Sequence, residues 1–95
     1  MHVSLVTRPF SDEHPGGGYI LRVTEDDHTS ICDIVIDISR KTGGMTMEEW
    51  KLSTRKKDKG KRVIGVYYWV SIMGHELDQW RYYDLDLGED ITRTS

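Results

Sequence analysis

The clearest pattern in the chain is an alternation of apolar and polar side chains between residues 30 and 39. Cys32 and three isoleucines occupy even positions, whereas Asp33 and Asp37 occupy odd positions. Successive side chains of a β-strand point to opposite faces, so this period of two predicts a half-buried strand over 30–39. Cys32 lies on the apolar side of that strand and is expected to be a buried, unreactive thiol.

Extended segments are predicted for most of the remaining chain. Further strands are expected over 3–7, 19–24, 62–73 and 78–87. Loops or turns are expected over 11–18, 25–28, 41–44, 55–61 and 74–77. Residues 88–95 are expected to form a frayed tail.

Residues 45–54 are compatible with two structures. Thr46 and Glu49 have the spacing of a capping box, which would open a helix. As a strand, the same segment places Trp50 and Leu52 on one face. The strand is favoured because the helix would have few apolar anchors. The fold class is therefore predicted to be all-β, with an α+β fold that has one short helix near 46–57 as the alternative.

The registers of the predicted strands can be tested against one another. Folding the chain about Asp58 sets Trp50 beside Val66, and folding it through the 74–77 turn sets Tyr68 beside Tyr83. Both pairings keep apolar side chains on a single face, as sheet register requires. We predict one domain over 1–95, built as an antiparallel meander of about six strands that curls into a barrel or a sandwich.

The opposite face of this meander is predicted to collect aromatic side chains. Its members are expected to be Met47, Tyr67, Trp69, Trp80 and Tyr82. Aromatic residues supply large and rigid contact area at protein interfaces, so this set is the candidate partner-binding site. The alternative is that the first strand or the 9–18 loop covers this face and makes it a second half of the core.

Composition narrows the class of protein. The chain is 37% hydrophobic and 31% charged, and it contains 23 Val, Ile and Thr residues but no Ala, which favours strands over helices. No apolar run approaches the roughly 20 residues of a membrane-spanning helix, and no secretory signal is evident. A single cysteine excludes an internal disulfide. A cytoplasmic location is the expectation.

Charge is distributed unevenly along the chain. Residues 39–62 hold nine basic and three acidic side chains, whereas the rest of the chain holds four basic and thirteen acidic ones. Basic clusters beside aromatic rings attract single-stranded nucleic acid, which makes this region a second candidate site. Its residues would be Arg55, Lys56, Lys57, Lys59, Lys61 and Arg62. The other interpretation is a solvated hairpin tip that prevents edge pairing.

Catalytic and metal-binding patterns are missing from the sequence. The four histidines are well separated, and the run from Asp26 to His28 is too short to surround one ion. Neither a metal nor another cofactor is expected. The chain is predicted to be a non-enzymatic binding module of the adaptor or inhibitor type that docks a protein partner. Nucleic acid is the alternative partner, no membrane contact is expected, and a homodimer through an edge strand stays open.

Overall fold

The computed structural model describes residues 1–93. Within these residues the chain forms seven β-strands in two antiparallel sheets and a single turn of 3₁₀ helix at Lys56–Asp58. The strands are β1 (His2–Thr7), β2 (Tyr19–Thr24), β3 (Ser30–Ile36), β4 (Gly43–Leu52), β5 (Val63–Ile72), β6 (His75–Asp84) and β7 (Glu89–Asp90). The all-β prediction is confirmed.

Each sheet is a meander of strands that follow one another in sequence. The first sheet has the order β1-β2-β3 and the second has the order β4-β5-β6-β7. The predicted single meander is therefore divided between β3 and β4, which do not pair. On one side of the molecule β1 contacts β4, whereas on the other side a groove separates β3 from β6.

The ambiguous segment 45–54 lies mainly in strand β4. Its partner is β5, with Trp50 opposite Val66 and Leu52 opposite Ile64. This register is the predicted one. The alternative of a short helix near 46–57 is wrong, because the edge of β5 supplies the segment with backbone partners that an isolated short helix would lack.

The core lies between the two sheets and is built from the inward-facing positions of both. Its buried residues are Val3, Leu21, Val23, Ile34, Ile64, Val66, Tyr68, Val70, Tyr83 and Leu85. Burying each such side chain stabilises the fold by about 1.5–3 kcal/mol relative to leaving it in water. Cys32 packs against this cluster but is only half-buried, contrary to the expectation of full burial.

The β5–β6 hairpin is tighter than predicted. Met73–Gly74 forms a two-residue turn with φ values of 50° and 81°, the left-handed geometry that matches the twist of a hairpin. The four-residue turn expected at 74–77 is wrong, and Gln79 rather than Tyr83 lies opposite Tyr68. The register differs from the prediction by an even number of positions. Every side chain of β6 therefore keeps its predicted face.

A β-bulge in β4 changes the face of Met47. The register shifts between Met47 and Glu49, so that Met47 lies opposite Tyr68. An extra residue in one strand reverses the side-chain alternation beyond it. Met47 consequently packs against the core. Its predicted position on the face with Tyr67 and Trp69 is wrong.

The segment after β6 is more ordered than the frayed tail that was predicted. Strand β7 pairs with the end of β6, and Ile91 is buried. The amide of Ile91 donates to the carbonyl of Tyr82 at 2.7 Å, and the hydroxyl of Thr92 accepts from the Tyr82 amide at 2.9 Å. The prediction for 88–95 is thus wrong as far as Thr92, and its last two positions lie outside the described residues.

Candidate functional site

Four aromatic side chains lie together on the outer face of the four-stranded sheet. This aromatic face consists of Tyr67 and Trp69 on β5 and of Trp80 and Tyr82 on β6. Tyr67 is directly opposite Trp80, and their ring centroids are 5.2 Å apart. Trp80 and Tyr82 follow at 6.5 Å. Three of the rings therefore form a continuous row across the two strands.

Gly65 makes room for one end of this row. It lies opposite Tyr82 in the β5–β6 ladder. A Cβ atom at position 65 would come within 2.8 Å of Cε1 of Tyr82 and 3.3 Å of Cε3 of Trp80. A glycine inside a strand often marks a site that another group approaches closely, which here is the edge of an aromatic ring.

The described residues leave the aromatic face uncovered. Trp69 is 40% exposed, and the other three rings are half-buried. Strand β1 packs Val3 into the core on the other side of the sheet. The 9–18 loop is fixed elsewhere, since the amide of Arg40 donates to the carbonyl of Gly16 at 2.9 Å. Neither segment turns this face into a second core.

Two cations lie across the rings at one end of the row. Lys51 Nζ is 4.6 Å from the centroid of Trp80, and the guanidinium carbon of Arg55 is 3.8 Å from that of Tyr82. A cation over an aromatic face is attracted by the ring's negative quadrupole. This end of the aromatic face is therefore basic.

The other end of the row is acidic. The hydroxyl of Tyr67 donates a hydrogen bond to Asp78. That bond, together with the negative charges of Asp78, Glu48 and Glu49, raises the pKa of the Tyr67 phenol. The aromatic face thus runs from cations beside Tyr82 to carboxylates beside Tyr67.

Arg55 is held by internal contacts. Its Nε donates to Asp58 at 2.6 Å, and its two Nη atoms donate to the carbonyls of Thr92 and Ile91 at 3.0 and 3.4 Å. Asp58 is buried and also accepts from Ser53 Oγ at 2.5 Å. Hydrogen bonding from Arg55 is the main cause of the lowered pKa of Asp58. Arg55 therefore joins the basic loop, Tyr82 and the C-terminal segment.

The other basic residues predicted for nucleic-acid binding lie at the same end of the sheet. They are Lys56, Lys57, Lys59, Lys61 and Arg62, all of which are exposed. Arg62 donates to Asp86 at 3.1 Å. The structure thus brings this loop next to the basic end of the aromatic face but leaves most of its side chains directed at solvent.

Comparison with known proteins finds no match. No family model, no curated protein and no solved structure is significantly similar to the chain. The chemistry of the site therefore has to be inferred from its own residues.

Residues 1–93 contain no group of three or more His, Cys, Asp and Glu side chains placed to hold a metal ion. Burial raises the pKa of the Cys32 thiol. Asp33 and Asp37 form ion pairs with Arg22 at 3.2 Å and Arg8 at 2.9 Å. No helix within 1–93 is long and apolar enough to cross a membrane.

The groove between β3 and β6 is a feature that sequence reasoning missed. Its volume is about 640 Å³, and its walls come from residues 33–38 and from the inner face of β6. Tyr68 and Tyr83 share a hydrogen bond of 3.0 Å at its floor, and burial raises the pKa of Tyr83 to about 12. Arg81 and Asp90 form an ion pair of 2.7 Å on its rim. No sequence pattern shows that the two sheets leave a space here.

Proposed function

We propose that the chain is a non-enzymatic protein-binding module, of the adaptor or inhibitor type, that docks a protein partner through the aromatic face. One observation carries the proposal: a row of neighbouring rings remains accessible on the face of the sheet that does not contribute to the core. Interface hot spots are enriched in Trp and Tyr, because these side chains bury much area at a low entropic cost.

The charges around the rings favour a protein over a polyanion. Glu49 and Asp78 lie beside Tyr67, where they would repel a phosphate backbone that followed the row. Arg55 already uses its donors on Asp58 and on the C-terminal segment. A protein surface with the opposite polarity, apolar at its centre, acidic near Lys51 and basic near Asp78, would match both ends.

Nucleic-acid binding is the second candidate, and the position of the basic loop favours it. Lys59, Lys61 and their neighbours are exposed beside the basic end of the aromatic face. A nucleic-acid strand held there would bind less tightly as salt is added, because each neutralised phosphate releases counterions. Only the basic half of the face would then contribute stacking.

The scaffold and its location complete the proposal. We propose an open β-sandwich, in which two sheets share one core and the outer face of one sheet binds the partner. A cytoplasmic location is proposed because the lone cysteine has no disulfide partner in the chain.

The test compares variants of the full chain as baits. Trp69→Ala and Trp80→Ala remove rings from the aromatic face, and Phe10→Ala removes an exposed ring elsewhere as a matched control. Proteins retained by the unaltered chain and by Phe10→Ala, but lost from both Trp variants, are purified and titrated by calorimetry. We expect each Trp variant to weaken binding about thirtyfold, the loss typical of a hot spot.

Two outcomes would contradict the proposal. One is a set of retained proteins that both folded Trp variants keep, and the other is the retention of no protein at all.

A fluorescent oligothymidylate is titrated in parallel at several salt concentrations. Tight binding with a steep salt dependence, lost on replacing Lys59 and Lys61 by Gln, would favour the nucleic-acid alternative.

A further inference from the structure

The outer edge of β6 is unpaired over most of its length. Strand β7 covers only Tyr83 and Asp84. The amide and carbonyl of Tyr82 both point outward, since they bond to Thr92 and Ile91. Between residues 75 and 81, no other described strand pairs with this edge.

The orientation of Tyr82 fixes which backbone groups are available. In an antiparallel ladder, alternate residues direct their amide and carbonyl toward the same neighbour. Glu76, Asp78 and Trp80 therefore direct theirs away from β5, like Tyr82. Within residues 1–93 no backbone or side-chain partner reaches these groups. Unpaired groups of this kind are a template for an additional strand.

The groove between the sheets lies directly beside this edge. Apolar side chains of both sheets line it, among them Ile36, Ile38 and Val70. Leu77 on β6 and Ile72 on β5 remain 44% and 40% exposed on the same side. A strand added to β6 would place every second side chain over these residues and remove them from water.

The charges on this edge define the chemistry of its occupant. Glu76 and Asp78 lie on the outer face of β6, whereas Asp33 and Asp37 on the opposite wall of the groove are already paired with Arg22 and Arg8. We propose that an extended segment of a protein partner, with alternating basic and apolar residues, adds to residues 76–80 as an antiparallel strand beyond β7. Its basic side chains lie opposite Glu76 and Asp78, and its apolar side chains enter the groove.

Strand β6 of a second copy does not fit this edge. Two β6 strands that pair about residues 76, 77 or 78 place acidic side chains opposite acidic side chains, which destabilises a ladder. Registers centred closer to β7 collide with the segment that already binds Tyr82. The edge therefore disfavours symmetric pairing of two β6 strands and favours a strand with basic residues. This inference goes beyond the proposed function, because an edge and a groove carry it rather than the outer rings.

The experiment uses synthetic peptides as probes of the full, isotope-labelled chain. The first peptide is an acetylated and amidated alternation of Lys and Val, the second has Glu in place of Lys, and the third has a central Pro in the Lys peptide. We expect the Lys peptide to slow hydrogen exchange at the amides of Glu76, Asp78 and Trp80. The Glu peptide and the Pro peptide are expected to bind at least about tenfold more weakly.

A charge reversal tests the register. Glu76→Lys is expected to weaken the Lys peptide about fivefold and to strengthen the Glu peptide. Glu13→Lys makes the same change of net charge in the exposed 9–18 loop and should leave both affinities unchanged. Thermal unfolding confirms that both variants are folded.

Three results would overturn the inference. The first is no binding of the Lys peptide, and the second is binding without protection of the three edge amides. The third is an equal effect of Glu76→Lys and Glu13→Lys, which would indicate attraction to net charge alone. Chemical-shift changes confined to the aromatic face would reject the strand-addition site while leaving the proposed function intact.

Discussion

The two faces of the four-stranded sheet carry apolar residues from the same strands but differ in burial. Ile64, Val66 and Tyr68 on the inner face of β5 have no exposed surface, whereas Trp69, which lies between two inner-facing residues, is 40% exposed. The inner face is covered by the first sheet. Within residues 1–93 no sheet covers the outer face, where charged side chains lie over some of the rings, such as Lys51 over Trp80.

This difference shows that hydrophobicity does not by itself define a core. Both faces would gain from burial in proportion to their apolar area. In the described part of the chain, the inner face alone has a second layer to bury it, because a domain of this size has one core. The outer rings instead contact one another and lie under cations, such as Arg55 over Tyr82. That arrangement leaves their surface available to a partner.

The largest loss of stability is expected from truncating a residue on the inner face. The matched change on the outer face should cost much less. Ile64→Ala should lower the free energy of unfolding by about 2–5 kcal/mol, because it leaves a cavity between the sheets. Trp69→Ala should lower it by less than about 1 kcal/mol, because no second layer packs on that ring. Urea unfolding followed by circular dichroism measures both. Equal losses would show that the outer face belongs to the core.

A smaller loss of stability is expected from breaking the Arg55–Asp58 ion pair at the basic end of the aromatic face. Asp58→Asn should cost about 2 kcal/mol, because it removes the charge from a hydrogen bond to Arg55. The pKa of Asp58 is lowered in the folded chain. Its contribution is therefore present above the ordinary Asp pKa of about 3.9 and is lost as pH falls below that value through the folded pKa.

Unfolding titrations between neutral and acidic pH separate this contribution from those of the other carboxylates. The slope of stability against pH below about pH 4 should be smaller in Asp58→Asn than in the unaltered chain. Asp12→Asn, in the exposed loop before β2, is the matched control. If both variants change the slope equally, Asp58 has no special role.

The smallest effect is expected from filling the space beneath the ring row. Gly65→Ala should cost about 1 kcal/mol, since its methyl group would displace the rings of Tyr82 and Trp80. The change should also alter the tryptophan fluorescence. Gly60→Ala is the comparison variant, because no atom lies within 4 Å of its Cβ position. Its φ of 82° adds backbone strain, so it should lower stability without changing the tryptophan fluorescence. Unchanged fluorescence in Gly65→Ala would show that the rings do not depend on position 65.

Sequence patterns predicted the strands but not the points where their alternation changes. The β4–β5 register was correct because Trp50, Val66 and their neighbours keep a period of two. Met47 was misplaced because a bulge is a local irregularity with no consistent residue pattern. The β5–β6 turn was misplaced because Met73, a residue that seldom adopts a positive φ, forms half of it. The four rings of the aromatic face still lie on the predicted side of the sheet, because the β5–β6 register differs from the prediction by an even number of residues.

By itself the sequence determined the strand content, the placement of Tyr67, Trp69, Trp80 and Tyr82 on one face of β5 and β6, and the uneven distribution of charge. Those properties follow from local alternation and composition. Tertiary structure alone decided which face became the core, that Arg55 bonds to Ile91 and Thr92, and that a groove opens between β3 and β6. These features join residues that are distant in the chain, and a pattern with a period of two carries no information about which sheet will cover it.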